Sequence, residues 1–275
     1  MHSSAIVYQY KHPIIFYILA ILIPWFFWFI AGYISHIGYY QQNYPNLASI
    51  LAFAGLLAPV MVCYFLVIKE PELKKDIFKR FFNLGEISPI YLILACIIMP
   101  ASIICAQLIS LLFGYSSEQF IISGNFSFSS GIFPVWSLLI VAPILEEMAW
   151  HSYGTDCLRR KYSLFTTSIL FGVFWGIWHM PLAGIHNYYQ SNIVETGWIY
   201  GVNFLVSIIP FVLLMNWLYY KSERNILVTM IFHITAGLFN ELFAPHPDSK
   251  IIQTVLLIVL VTVIIVKNKN FFFKK

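Results

Sequence analysis

Pro143-Ile144-Leu145-Glu146-Glu147-Met148-Ala149-Trp150-His151 decides how this chain is read. Two adjacent carboxylates stand inside a long apolar run, with a histidine one turn on. An ionisable side chain at mid-bilayer costs roughly 2.5–3.5 kcal/mol on insertion scales, so such a residue marks a functional site by default. Two more histidines, His179 and His233, sit inside later apolar runs. The expectation is that these groups converge and activate water within a membrane.

Composition sets the solvent. The chain has 275 residues, 60% hydrophobic, 18% aromatic and 10% charged. Soluble domains carry about 25% charged residues. The fold class expected is therefore all-α: a polytopic membrane protein, one domain over residues 1–275. The net charge of +4 comes from dispersed basic residues, which argues against nucleic acid as a partner. Cys63, Cys96, Cys105 and Cys157 lack zinc-ligand spacing and read as reduced apolar residues.

Eight stretches approach the length of about 20 apolar residues that a spanning helix needs. They are Pro13–Tyr33, Leu47–Ile68, Pro89–Phe113, Ile132–Tyr153, Ser163–Pro181, Trp198–Tyr220, Ile226–Phe243 and Ile251–Val266. Basic residues fill alternate connections. Lys11 precedes the first stretch, and Lys69, Lys74, Lys75, Lys79 and Arg80 follow the second. Arg159, Arg160 and Lys161 follow the fourth, Lys221 and Arg224 the sixth, and Lys267 and Lys269 the eighth. The other connections hold no Lys or Arg except Lys250. The positive-inside rule then predicts eight spans with both termini cytoplasmic, surrounded by membrane lipid. Length and residue usage suggest a bacterial plasma membrane. The mixed-charge segment Lys69–Gly85 reads equally as a helix on the cytoplasmic surface or a solvated loop.

Adjacent helical positions point about 100° apart, so Glu146 and Glu147 cannot both face one cavity squarely. One acts while the other orients its partners; Glu147 and His151, at i and i+4, share a face. Asn240 lies two turns beyond His233 on one face, with Glu241 beside it. Measured from the cytoplasmic ends at ~1.5 Å per residue, Glu146 lies about 18 Å deep, His179 about 24 Å, His233 about 10–12 Å and Asn240 about 21 Å. The carboxylates, His179 and Asn240 are thus expected at similar depth, with His233 one to two turns nearer the cytoplasm. Read singly, each of these residues also fits a polar packing contact or a proton path in a carrier.

Together they resemble the CPBP family, the type II CAAX prenyl endopeptidase or Abi family of intramembrane proteases, with motifs E-E-x-x-x-R, F-x-x-x-H and H-x-x-x-N. The first motif is matched by Glu146-Glu147-Met148-Ala149-Trp150-His151, with His151 in the arginine position. The second is matched by Trp175-Gly176-Ile177-Trp178-His179, with Trp175 for phenylalanine. The third is matched by His233-Ile234-Thr235-Ala236-Gly237, with Gly237 for asparagine. The resemblance covers residues 132–243. It implies an endopeptidase acting on a peptide or protein at the membrane. Glu146 would be the general base, Glu147, His179 and His233 the other catalytic groups, and His151, Trp175 and Asn240 the supporting ones. Both a metalloprotease with Zn²⁺ on Glu146, His179 and His233 and a metal-free glutamate mechanism are compatible with this set. Gly237 removes an expected oxyanion donor, for which Asn240 could substitute. A host without prenylation machinery would present other termini than CAAX. The rival readings are a non-proteolytic membrane scaffold or bacteriocin-immunity protein on the same fold, and a carrier.

Overall fold

The structure, a computed structural model, describes residues 6–37, 44–82, 85, 87–122, 126–243 and 245–275. Parts of the expected connections at 34–46 and 114–131, and residues 83 and 84 of the expected surface segment, lie outside them. Among the described residues the chain is helical, and strand pairing is confined to one bridge between Ile122 and Phe243.

The long helices are α1 (Pro13–Ile37), α2 (Tyr44–Val67), α4 (Pro89–Leu111), α9 (Trp198–Lys221), α10 (Ile226–Leu242) and α11 (Pro247–Lys267). Between the second and third of these, α3 (Pro71–Phe82) follows a three-residue break, so the segment after Lys69 is a helix rather than a loop. Helix α5 (Val135–Ala149) runs through a π turn, Trp150–Gly154, into α6 (Thr155–Arg159). Helix α7 (Leu164–His179) ends in a 3₁₀ turn, Met180–Gly184, and the short α8 (Tyr189–Thr196) follows. A last short helix, α12 (Lys269–Phe273), closes the chain.

All eight expected apolar stretches are helical. Among the described residues five helices are by themselves long and apolar enough to cross a membrane, and six if α7 and α8, bent by 82°, count as one. The two others fall short for visible reasons. The π turn divides the stretch at 132–153, leaving α5 with 15 residues, and α10 has 17. The outer surface carries large exposed apolar side chains, among them Ile14, Phe26, Phe65 and Trp198. A polytopic bundle in lipid has this surface, because the hydrocarbon imposes no cost on it.

Inside, α1 packs along α2, α2 along α5, α5 against α10, and α10 against α4; α9 lies between α7 and α11. Close approach needs small residues at two points. A Cβ at Gly55 would stand 2.3 Å from the Trp28 indole nitrogen, whose N–H donates to the Ala52 carbonyl at 2.9 Å. A Cβ at Gly32 would stand 2.9 Å from the Gly184 carbonyl oxygen. Prolines 24, 59, 100, 143 and 210 lie within helices, as read from the sequence. All four cysteines are free, Cys63 and Cys157 buried and Cys96 and Cys105 exposed.

Candidate active site

The two adjacent glutamates are divided between two environments. Glu147 is fully buried, and both of its oxygens are occupied. Oε1 accepts from His233 Nδ1 at 2.9 Å, and Oε2 accepts from His151 Nδ1. Glu146 is 8% exposed and forms part of a cavity wall. Its Oε2 accepts the indole N–H of Trp175 at 2.9 Å and, more weakly, that of Trp150 at 3.4 Å. Its Oε1 receives no hydrogen bond from the described side chains and is free to accept one from water.

The histidines are oriented by their inner nitrogens. His179 Nδ1 faces the Trp175 carbonyl at 2.7 Å, so Nδ1 carries the proton and Nε2 is left toward the cavity. His233 Nδ1 donates to Glu147, which likewise leaves Nε2. Aromatic rings fix both imidazoles. Trp175 meets His233 edge-on with centroids 5.2 Å apart, Phe211 lies 5.6 Å from His233, and Trp178 lies 4.9 Å from His179. Glu146, Trp175, His179, His233, Gly237 and Asn240 line one cavity of about 520 Å³.

His151 closes a chain that can be traced to a fixed end. Ser168 Oγ donates to the Leu164 carbonyl at 2.8 Å, so it accepts the Asn216 amide N–H at 2.9 Å. Asn216 Oδ1 therefore faces His151 Nε2, at 2.9 Å. With a carboxylate on Nδ1 and an amide oxygen on Nε2, the network is satisfied when His151 donates from both nitrogens. His151 thus stands against Glu147 in the arginine position of the resembling motif.

The π turn directly after the motif has its own partners. The Thr155 N–H reaches back to the Trp150 carbonyl. The His151 carbonyl accepts from Arg80 Nη1 at 2.7 Å and from the Tyr219 hydroxyl at 2.9 Å, and the Ser152 carbonyl accepts from Arg80 Nη2 at 2.9 Å. Arg80 is 5% exposed and pairs through Nε with Asp76 at 2.9 Å and through Nη1 with Asp156 at 3.3 Å. Arg224 bridges the same two aspartates. It holds φ at 64°, uncommon for a residue with a side chain, and the two ion pairs keep it there. π turns are rare and recur at functional sites.

Several expectations change here. His233 was placed one to two turns nearer the cytoplasm than the carboxylates, but it touches Glu147. Depth counted from helix ends assumes straight, parallel helices, and α5 is interrupted. Asn240 shares the cavity but is engaged elsewhere: its amide donates to the Tyr189 hydroxyl at 2.8 Å. Two turns beyond His233 is about 10 Å at 1.5 Å per residue along the helix, and the same amide lies 3.4 Å from Glu241 Oε1. As arranged, Glu146, His179 and His233 do not gather into a metal-holding group; among the described residues no three His, Cys, Asp or Glu do.

Sequence reasoning missed Asn216, Ser168 and the Arg80–Asp76–Asp156–Arg224 cluster. Asn216 carried a usable signal, as an amide deep within an apolar run. Arg80 and Arg224 did not, because they read as ordinary cytoplasmic-face charges.

An apolar-surfaced bundle that encloses a cavity, with one accessible carboxylate and two oriented imidazoles on its wall, is the construction of a membrane-embedded hydrolase. Residues 128–239 match the family model of type II CAAX prenyl endopeptidase Rce1-like proteins. The chain is 37% identical over 270 residues to the CAAX prenyl protease 2 of Methanococcus maripaludis, covering 98% of each. The chain belongs to this family of Rce1-like CAAX prenyl endopeptidases and is an integral membrane protease.

Proposed function

We propose that hydrolysis here depends on Glu146 as general base, without a step through a metal ion. The observation that carries this reading is the division of labour between the adjacent glutamates. Glu147 is saturated by His151 and His233, whereas Glu146 keeps Oε1 open on the cavity. A water held by Glu146 Oε1 gives up a proton to that carboxylate as its oxygen attacks the peptide carbonyl carbon. The developing oxyanion is received by Nε2–H of His233, whose positive form the buried Glu147 charge supports. His179 Nε2 helps hold the water. Glu146 then returns the proton to the leaving amine as the C–N bond breaks. A positioned general base contributes typically 10²–10⁴-fold.

The substrate class we take from the relative's name is a CAAX-type C-terminal peptide. All eight apolar stretches cross the bilayer in this proposal, with both termini cytoplasmic, because the basic connections alternate with nearly uncharged ones. The polar end of the cavity, rimmed by exposed Ser127 and Thr196, then lies toward the opposite face.

The test is a cleavage assay with purified protein in lipid, using prenylated and unprenylated CAAX peptides. Glu146→Gln is expected to lose at least 10²-fold in kcat, and a chelator to leave the rate unchanged. Loss of activity on chelation, restored by Zn²⁺, would overturn the metal-free step.

A further inference from the structure

The cavity that Glu146 lines also carries a cation. Among the described residues that line it, Lys250 is the one Lys or Arg. Lys250 is also the basic residue that breaks the alternation of charged connections. It stands in the first turn of α11, half-buried, with Nζ 3.4 Å from the Tyr189 hydroxyl and 5.3 Å from the centre of that ring. The same hydroxyl accepts the Asn240 amide at 2.8 Å. No carboxylate lies within ion-pair distance of Nζ among the described residues. Glu241, which also lines the cavity, is turned to Ser127, accepting its N–H and its hydroxyl at 2.8 Å each. Asp248, on the same helical turn as Lys250, accepts from Tyr200 at 3.0 Å and from Tyr115. The Asn240 amide also reaches Glu241 Oε1, at 3.4 Å, but that carboxylate is held by Ser127. A half-buried ammonium whose described polar neighbour is a neutral hydroxyl, with no described carboxylate in ion-pair contact, is a place for an anion.

The spacing says which anion. Asn240 is two turns along α10 from His233, about 10 Å at 1.5 Å per residue. Tyr189 carries that distance on to Lys250 by two more contacts, 2.8 Å from the Asn240 amide and 3.4 Å to Nζ, a path of about 17 Å at most. An extended chain advances about 3.3 Å per residue, so no more than about five residues span the interval from the imidazole to the ammonium. We infer that Lys250, with Tyr189 and Asn240, binds the C-terminal carboxylate of the peptide, and so sets the cut within about five residues of its end. This rests on the endopeptidase reading above and adds to it the group that measures the cleavage position.

The experiment compares two peptides, each ending in a prenylated cysteine, two aliphatic residues and methionine. One has a free carboxylate and the other a carboxamide. Wild-type protein in phosphatidylcholine vesicles is expected to process the acid with about tenfold higher kcat/KM than the amide, through KM. Lys250→Gln is expected to cut both alike, at the rate wild type shows with the amide. A preference retained in Lys250→Gln, or absent in wild type, overturns the inference while leaving the endopeptidase reading intact. Binding gives a second readout: Glu146→Gln should bind the acid about tenfold more tightly than the amide, and Glu146→Gln with Lys250→Gln should not distinguish them. If wild type cleaves neither peptide and Glu146→Gln binds neither, both readings fail together. A Lys250 effect that appears only with anionic phosphatidylglycerol vesicles, without acid–amide discrimination, assigns the site to lipid phosphate and overturns the inference.

Discussion

Trp175 donates its indole N–H to Glu146 Oε2 at 2.9 Å. The donor comes from α7 and the acceptor from α5, so one hydrogen bond ties two motif-bearing helices together. The resembling motif has phenylalanine at this position, which fills the space but offers no donor. In this chain the bond holds one carboxylate oxygen and leaves the other open. Hydrogen bonds to charged groups contribute about 1.5–3 kcal/mol, and 1.4 kcal/mol is tenfold in rate. Trp175→Phe keeps a ring against Phe171 and His233 and should lower kcat about tenfold, with KM and thermal stability little changed. Steady-state kinetics with a melting curve checks this, and an unchanged kcat would remove Trp175 from the positioning of Glu146.

The Glu147–His151 pair makes a sharper prediction, because both partners are fully buried. Removing one member of a buried pair leaves an uncompensated charge and costs about 3–5 kcal/mol. His151→Phe should therefore reduce both stability and activity. His151→Arg supplies the charge of the resembling motif and should retain more activity than His151→Phe. Equal loss in the two variants would show that His151 acts through shape rather than charge.

Much of this site was legible in advance because polar groups stand out in an apolar chain. Glu146, Glu147, His179 and His233 were each conspicuous against Ile, Phe and Trp, and they line or abut one cavity. The eight helical stretches were legible for the same reason. The π turn was not, since it depends on contacts distant in sequence: Arg80 and Tyr219 on the His151 carbonyl, and Tyr17 on the Gly154 carbonyl at 3.0 Å. Nor was the burial of Arg80, Asp76, Asp156 and Arg224 legible. A charge near a helix end reads as solvated until its partner is known, and these partners are up to 148 residues apart.

That cluster predicts an effect at long range. Arg80 belongs to α3, outside the apolar bundle, yet it holds two carbonyls of the turn that follows Glu146 and Glu147. Arg80→Ala would leave Asp156 and those carbonyls short of a donor and should destabilise the protein by about 3–5 kcal/mol. Arg80→Lys keeps the charge but not the fork that reaches two carbonyls at once, and should restore stability only in part. Thermal unfolding in detergent compares the three proteins. If Arg80→Ala melts like wild type, the cluster does not brace the turn.

Gly237 offers the one change expected to improve the enzyme. It lies within α10 on the cavity wall, where the resembling motif has asparagine. A Cβ built there meets Leu139 Cδ2 at 3.7 Å, ordinary van der Waals contact, so a methyl group enters without displacing anything. Glycine inside a helix is also less favourable than alanine by about 0.5–1 kcal/mol. Gly237→Ala should therefore raise thermal stability slightly and leave the rate unchanged. Gly237→Asn adds an amide one turn from His233, aimed into the same cavity. A preorganised oxyanion donor is worth about 10²–10³ in kcat where it is well placed. An engineered one, without supporting contacts, should recover about tenfold. The two variants separate the amide from the backbone effect: a rate gain in Gly237→Asn but not Gly237→Ala locates the oxyanion beside position 237. A gain in neither places it elsewhere in the cavity.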